Sequence, residues 1–268
     1  LTLPDGSHTV ETRATDNAGN ASTSTFSAKV DTGLPALAHT VAGSTGSNGW
    51  YVSDVTFTAT SSDTVSGLAA TEYSIDGGVW KTGSVVTIAS DGNHTIDFRA
   101  TDNAGNRSTN TRSIKIDQTL PAVSFADPVG TNGANGWYVS PVSLTVNRSD
   151  ATSGIAVDEY RLNEGTWTPI STDLTLTEGL NKIDARVTDK AGNQSSITTT
   201  IKVDLTPPSL TISVAEVVGS TGWYNTPVTL AGNPSDEGSG IAEVAYRLDN
   251  TDWILEKTVA ITNDGSHS

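Results

Sequence analysis

The chain contains no cysteine and no methionine among its 268 residues. Without Cys there is no disulfide to staple a small core and no thiolate metal site. Basic residues are scarce: 15 Lys and Arg face 30 Asp and Glu, a net charge of -15. Nucleic-acid backbones are bound by basic faces, so nucleic acid is excluded as a partner. No apolar run is long enough to cross a bilayer, which excludes membrane insertion by this segment. No stretch sustains the three-to-four residue apolar spacing of a helix. Catalytic signatures are missing too. There is no nucleophile elbow, no His-Glu-x-x-His and no phosphate-cradling glycine loop leading into a helix. The expectation is a protein that is not an enzyme and has no organic cofactor.

What is present is polar, turn-rich and periodic. Hydrophobic content is 35%, and Gly numbers 25. Thr, Ser, Asn and Asp fill much of the remainder, a mix that suits short strands with one wet face. Self-similarity dominates. Gly49-Trp50-Tyr51-Val52-Ser53 returns as Gly136-Trp137-Tyr138-Val139-Ser140 and as Gly222-Trp223-Tyr224. Ala100-Thr101-Asp102-Asn103-Ala104-Gly105-Asn106 appears earlier as Ala14 to Asn20 and later as Val187 to Asn193. The stretches beginning Val30-Asp31, Ile116-Asp117 and Val203-Asp204 each run on to a Pro. The period is about 86 residues, near the roughly 100 of an immunoglobulin-like sandwich.

These motifs, in this order and spacing, resemble the bacterial immunoglobulin-like repeats of very large extracellular surface proteins and adhesins. The resemblance covers the whole chain. It implies an all-β fold: immunoglobulin-like β-sandwiches of about seven strands, in tandem, in a linear array. It also implies an extracellular location, on a bacterial cell surface or in a secreted fibre. On this frame, residues 31–116 and 117–203 are complete repeats. Residues 1–30 carry the last two strands of one repeat, and 204–268 carry the N-terminal part of another. Asp264-Gly265-Ser266-His267 matches Asp5-Gly6-Ser7-His8, so the chain stops at the repeat position where it begins. Two readings stand: an excerpt from a longer array, or a subunit whose residues 1–30 complete the 204–268 part of the next copy by strand addition.

Within 31–116, strands are predicted over 34–41, 52–60, 70–75, 78–82, 84–89, 93–101 and 107–116. Val55, Phe57 and Ala59 alternate onto one face. Asp76-Gly77 is a two-residue hairpin turn, whose register pairs Tyr73 with Trp80. The other repeats repeat it, with Tyr160 opposite Trp167 and Tyr246 opposite Trp253. Trp50 and Tyr51 are adjacent on a strand and point to opposite faces. His8, His94 and His267 share one repeat position and read as surface strand residues without a paired acid. Lys29, Lys115 and Lys202 alternate outward, away from any isopeptide partner.

Three acidic positions should meet where one repeat joins the next. They are Asp31, Asp63 and Asp102 at the first junction and Asp117, Asp150 and Asp189 at the second. At the third they are Asp204 and Asp236, with the hairpin acid missing. Clustered carboxylates repel, and an oxygen cage is what calcium prefers. The competing reading is that each Asp caps its own turn. Function therefore reads as a stalk, spacer or fibre subunit. Its partners are neighbouring repeats, including head-to-tail self-association. The alternative is an adhesin module that binds a carbohydrate or protein receptor.

Overall fold

The computed structural model describes residues 2–216, 218–219 and 221–268, with strand, turn and loop and no helix. Leu1, Val217 and Ser220, which belong to the segments 1–30 and 204–268, lie outside the described residues. The chain divides into two compact units. The first comprises 1–122, 148–158 and 187–195; the second comprises 123–147, 159–186 and 196–268.

The first unit begins with a lone hairpin, β1 (Gly6–Thr15) and β2 (Ala21–Val30), paired antiparallel from Gly6↔Val30 to Thr15↔Ala21. A sandwich follows, built from β3 (Ala36–Ala42), β4 (Val55–Ser62), β5 (Leu68–Ile75), β6 (Lys81–Thr82), β7 (Val85–Ile88), β8 (Gly92–Asp102) and β9 (Arg107–Ile116). One sheet has the order β3-β4-β7 and the other β6-β5-β8-β9. Alternation decides the core. Val55, Phe57, Ala59, Val86 and Ile88 of the first sheet meet Ile96, Phe98, Ile114 and Ile116 of the second, all buried. Thr58, Thr87 and Lys115, which alternate with them, are exposed, as a pleated strand requires. Tyr51 packs against this core while Trp50 lies over Lys115, 5.6 Å from Nζ to the ring centroid. The two rings do take opposite faces.

The next repeat contributes β10 (Ala122–Phe125), β11 (Trp137–Tyr138), β12 (Val142–Leu144), β13 (Val146–Ser149), β14 (Ile155–Leu162), β15 (Thr168–Pro169), β16 (Leu174–Leu176), β17 (Gly179–Asp189) and β18 (Gln194–Val203). The second unit holds its core: Val142, Leu144, Leu176, Ile183, Ala185 and Val203 are fully buried. The described residues of the last segment form β19 (Ser209–Val214), β20 (Val228–Ser235) and β21 (Thr258–Ile261), in the order β19-β20-β21.

The hairpin register differs from the predicted one. The turns are as expected: Asp76 and Gly77 have φ of 51° and 69°, and Gly78 N–H donates to Ile75 O at 2.9 Å. Beyond the turn, however, Ser74 Oγ donates to the Gly78 carbonyl, and the ladder resumes one residue later. Tyr73 pairs with Lys81, not Trp80, and Tyr160 with Thr168, not Trp167. Tyr246 likewise bridges Ile254 rather than Trp253. The slip frees each Trp from the ladder to lie against an arginine: Trp80 meets Arg99 at 4.2 Å, and Trp167 meets Arg161 at 4.9 Å and Arg186 at 4.1 Å.

Candidate metal centres at the repeat junctions

The first two junctions are each built from a linker, a loop and a hairpin. At the first, Asp102 ends β8 and is 2% exposed. Its Oδ1 accepts the amides of Ala104, Gly105 and Asn106 at 2.9, 2.7 and 2.8 Å. Its Oδ2 accepts Asn106 Nδ2 at 2.8 Å. Gly105 sits at φ +98°, a conformation that favours glycine. Burial alone would raise the Asp102 pKa, but these four hydrogen bonds outweigh it and hold the carboxyl below its usual range. Asp63 Oδ1 accepts the amides of Val65, Ser66 and Gly67 at 3.1, 3.0 and 2.9 Å. Asp31 ties linker to loop: its Oδ1 accepts Gly33 N–H and its Oδ2 accepts Ser66 N–H, both at 3.0 Å. Asn106 closes the ring by donating to the Asp31 carbonyl at 3.1 Å.

The second junction repeats the plan. Asp117 is fully buried and Asp189 is 1% exposed. Asp117 accepts from the amides of Thr119 at 3.2 Å and Ser153 at 3.0 Å. Asp150 accepts from Gly154 at 2.6 Å. Asp189 accepts from Gly192 and Asn193, and Asn193 Nδ2 reaches the Asp117 carbonyl at 2.9 Å. Both predicted trios are therefore brought together. In each, one carboxylate oxygen from every Asp lies within 4.8 Å of the other two. At the third junction Asp204 accepts Ser239 N–H at 2.7 Å and Asp236 accepts Gly240 N–H at 2.7 Å. Hydrogen bonds from the Ser239 hydroxyl and amide lower the Asp204 pKa, against the pull of burial.

The donor set fits a calcium ion. Calcium takes six to eight oxygens at about 2.3–2.6 Å, so two oxygens on one ion can be no more than about 5 Å apart. The 4.8 Å limit satisfies this. Every carboxylate oxygen has two lone pairs, so an amide donor does not exhaust it. The Ser66 Oγ, buried beside the first trio and without a hydrogen-bond partner, is a further oxygen at that place.

Three features escaped the sequence. A recurrent acid clamps each linker: Asp5 Oδ1 accepts Thr32 N–H, Asp91 Oδ1 accepts Gln118 N–H, and Glu178 Oε2 accepts Leu205 N–H, at 2.9, 2.8 and 2.7 Å. The acid-Gly pair that recurs at 5, 91 and 178 was the available signal. Second, the loop at 46–48 docks on the hairpin of the following repeat. Ser47 N–H donates to Ala191 O at 2.7 Å, and Asn48 Nδ2 to Lys190 O at 2.9 Å. Third, His94 does have a paired acid, since the register brings Asp76 Oδ2 to 2.8 Å from its Nδ1. Ser90 Oγ stands 3.2 Å from Nε2, which outlines a Ser-His-Asp triad. Nε2 also meets the Ser90 carbonyl at 2.9 Å, however, and a ring nitrogen engaged by a backbone acceptor is not placed to take a serine proton as a triad requires.

Lys115 and Lys202 are exposed, as alternation required, and Lys202 Nζ lies 5.9 Å from the Trp137 ring.

A family model described as "Bacterial Ig-like domain" matches residues 47–118 and 132–205, together more than half of the sequence. No curated protein matches. Among solved structures, similarity extends to a tetra-tandem repeat in the extending region of a large adhesion protein. It is 19% identical over 97% of this chain and 74% of that one, with TM-score 0.34. A Ca2+-stabilized adhesin that helps an Antarctic bacterium reach out and bind ice is 18% identical, over 96% of this chain and 73% of that one, TM-score 0.27. A 1.5-MDa bacterial ice-binding adhesin is 16% identical, over 86% and 87%, TM-score 0.30.

Proposed function

We propose that this chain, which belongs to the bacterial Ig-like domain family, is an extracellular run of spacer repeats whose joints are fixed by calcium. The repeats are 31–116 and 117–203, flanked by the partial repeats 1–30 and 204–268. The observation that supports this reading best is the pair of acidic trios, Asp31-Asp63-Asp102 and Asp117-Asp150-Asp189. Each draws one Asp from the linker that precedes a repeat and two from that repeat. An ion held there ties linker, loop and hairpin at once. Asp204 and Asp236 are the corresponding pair at the third joint. The linker clamps of Asp5, Asp91 and Glu178 act in the same sense. A stalk, spacer or fibre on a bacterial surface needs joints of limited bend, and head-to-tail self-association is the finer part of this reading.

The adhesive alternative would use exposed aromatic faces to stack on sugars. The rings of Trp80, Trp167 and Trp253 already carry guanidinium groups, which favours the spacer. Isothermal titration of the whole chain tests the metal. Two sites with Kd of about 10⁻⁴–10⁻³ M are expected, the range of extracellular modules. No binding at 10-fold higher calcium would refute it.

A further inference from the structure

The side chain of His94 is 12% exposed, and both of its ring nitrogens lie against acceptor oxygens. Nδ1 is 2.8 Å from Asp76 Oδ2, on the turn between β5 and β6. Nε2 is 2.9 Å from the Ser90 carbonyl, in the loop between β7 and β8. A neutral imidazole carries one N–H and the imidazolium two, so it is the charged ring that donates to both oxygens at once. Asp76 stays ionised beside it, because the Thr95 amide and then His94 hold its pKa below the usual value. Other charged groups stand nearby. Asp91 is in the β7–β8 loop, Asp54 precedes β4 and bonds Gln118 Nε2, and Asp97 on β8 bonds Thr111. On β9, Lys115 pairs with Asn93 and lies over Trp50. Among the described residues, Asp76 is the charged group bonded to the ring.

The loop that His94 holds is the loop that clamps the linker. Asp91 Oδ1 accepts Gln118 N–H at 2.8 Å, and its Oδ2 accepts the Thr119 hydroxyl. Gln118 Nε2 donates to Ala89 O at 3.1 Å. Ser90 lies between these two anchors. When Nε2 loses its proton, its lone pair faces the Ser90 carbonyl with nothing between them, and an enclosed acceptor without a donor is costly. Ser90 Oγ, 3.2 Å from Nε2, is placed to donate in its stead, which releases the carbonyl. The next repeat makes the same contacts without a titrating ring. Asn163, Thr177 and Asn181 stand at the positions of Asp76, Ser90 and His94. Asn181 Nδ2 donates to the Thr177 carbonyl at 2.8 Å. Asn163 Oδ1 accepts the Lys182 amide, as Asp76 Oδ1 accepts that of Thr95. Glu178 clamps Leu205 as Asp91 clamps Gln118. An amide group donates to its carbonyl at every pH.

We propose that His94 is a pH-dependent latch on the linker at 117–119: the protonated ring holds the β7–β8 loop in its clamping position, and loss of the proton loosens the clamp. Histidine changes charge between about pH 5 and 8. The linker after residue 116 is therefore held tightly in mild acid and more loosely above neutrality, while the linker after residue 203 is indifferent to pH. The same pair of bonds recurs at His267, from Asp249 to Nδ1 at 2.7 Å and from the Asn263 carbonyl to Nε2 at 2.9 Å. There the Asp249 bond, and after it the Asn263 bond, raises the pKa of the ring.

Amide hydrogen exchange of the whole chain, followed by NMR between about pH 5 and 8, tests this. The Gln118 amide is compared with the Leu205 amide at each pH, so the intrinsic pH dependence of exchange cancels. The protection of Gln118 relative to Leu205 should fall by about tenfold from the acid to the alkaline end, the worth of one hydrogen bond. The double variant His94→Asn with Asp76→Asn reproduces the pair that the next repeat carries. It should keep Gln118 protected and remove the pH dependence. A ratio that stays constant with pH in the unaltered chain, or that changes equally in the double variant, would overturn the proposal. The measurement is made in chelator, so it reads the clamp alone and its outcome is separate from that of calcium binding at the joints.

Discussion

Calcium withdrawal should lower the melting temperature of the sandwiches by an amount that the site geometry bounds. Three carboxylate oxygens within 4.8 Å make a weak, partly open cage, so a Kd of about 10⁻⁴–10⁻³ M is expected. At about 10 mM free calcium the folded state gains RT ln(1 + [L]/Kd), or about 1.4–2.7 kcal/mol. For a repeat of this size each kcal/mol moves the melting point by about 4–8 °C, so the shift should be about 6–22 °C. Calorimetry in calcium and in chelator measures it. Asp150→Asn is the sharp control. Its Oδ1 accepts a single amide, from Gly154, which an Asn oxygen still accepts, so the turn survives while a charge is lost. In chelator this variant should melt no lower than the unaltered chain, because two like charges remain instead of three. In calcium it should lose the increment of the second joint only. Magnesium, which prefers shorter octahedral contacts and keeps its water, should shift little. Equal melting in calcium and chelator would refute the reasoning, as would a full calcium increment in Asp150→Asn.

Leu144 is fully buried, so Leu144→Ala should cost about 2–5 kcal/mol in denaturant unfolding. The Asp249 hydrogen bond, then that of the Asn263 carbonyl, raises the His267 pKa above its ordinary value. That stabilisation is complete below the unfolded pKa of about 6.5 and is lost as pH rises through the folded value. An NMR titration should show the raised pKa, and Asp249→Asn should bring it down. Asp102 has a depressed pKa, so its contribution holds above about pH 3.9 and disappears as pH falls through the folded value. Acid unfolding of Asp102→Asn should accordingly be less steep. A Cβ on Gly46 would stand 2.2 Å from Ala191 O, so Gly46→Ala should loosen that joint. Small-angle scattering should show a broader distance distribution, with the melting of each sandwich unchanged.

Much of this was readable in the residues. Val55, Phe57 and Ala59 alternate in the sequence and are buried in the structure, because a period of two admits a single core face. The junction acids were readable because a repeat lays equivalent positions side by side. What escaped reading depends on approach in space. Gly46 looks like an ordinary turn glycine, yet its missing side chain is what admits Ala191 O. The ladder slip after Gly78 comes from one side chain, Ser74, taking a backbone acceptor. The His94–Asp76 pair joins residues 18 apart whose proximity follows from the register of β5 on β8.

The parallel bridge between Tyr51 and Ile116 has a mechanical consequence. Tyr51 N–H donates to Lys115 O, and Asp117 N–H donates to Tyr51 O, each near 2.8–2.9 Å. In the next repeat Trp137 and Tyr138 pair in parallel with Lys202 and Val203. Parallel partners near opposite ends of a repeat are pulled in opposite directions along their own axes when the chain is stretched. Their hydrogen bonds share the tension and must break together, whereas antiparallel hairpins such as β1–β2 peel open one bond at a time. Under tension, each repeat should yield first at this short seam near its C-terminal end, and the rest of the sandwich is protected until it does.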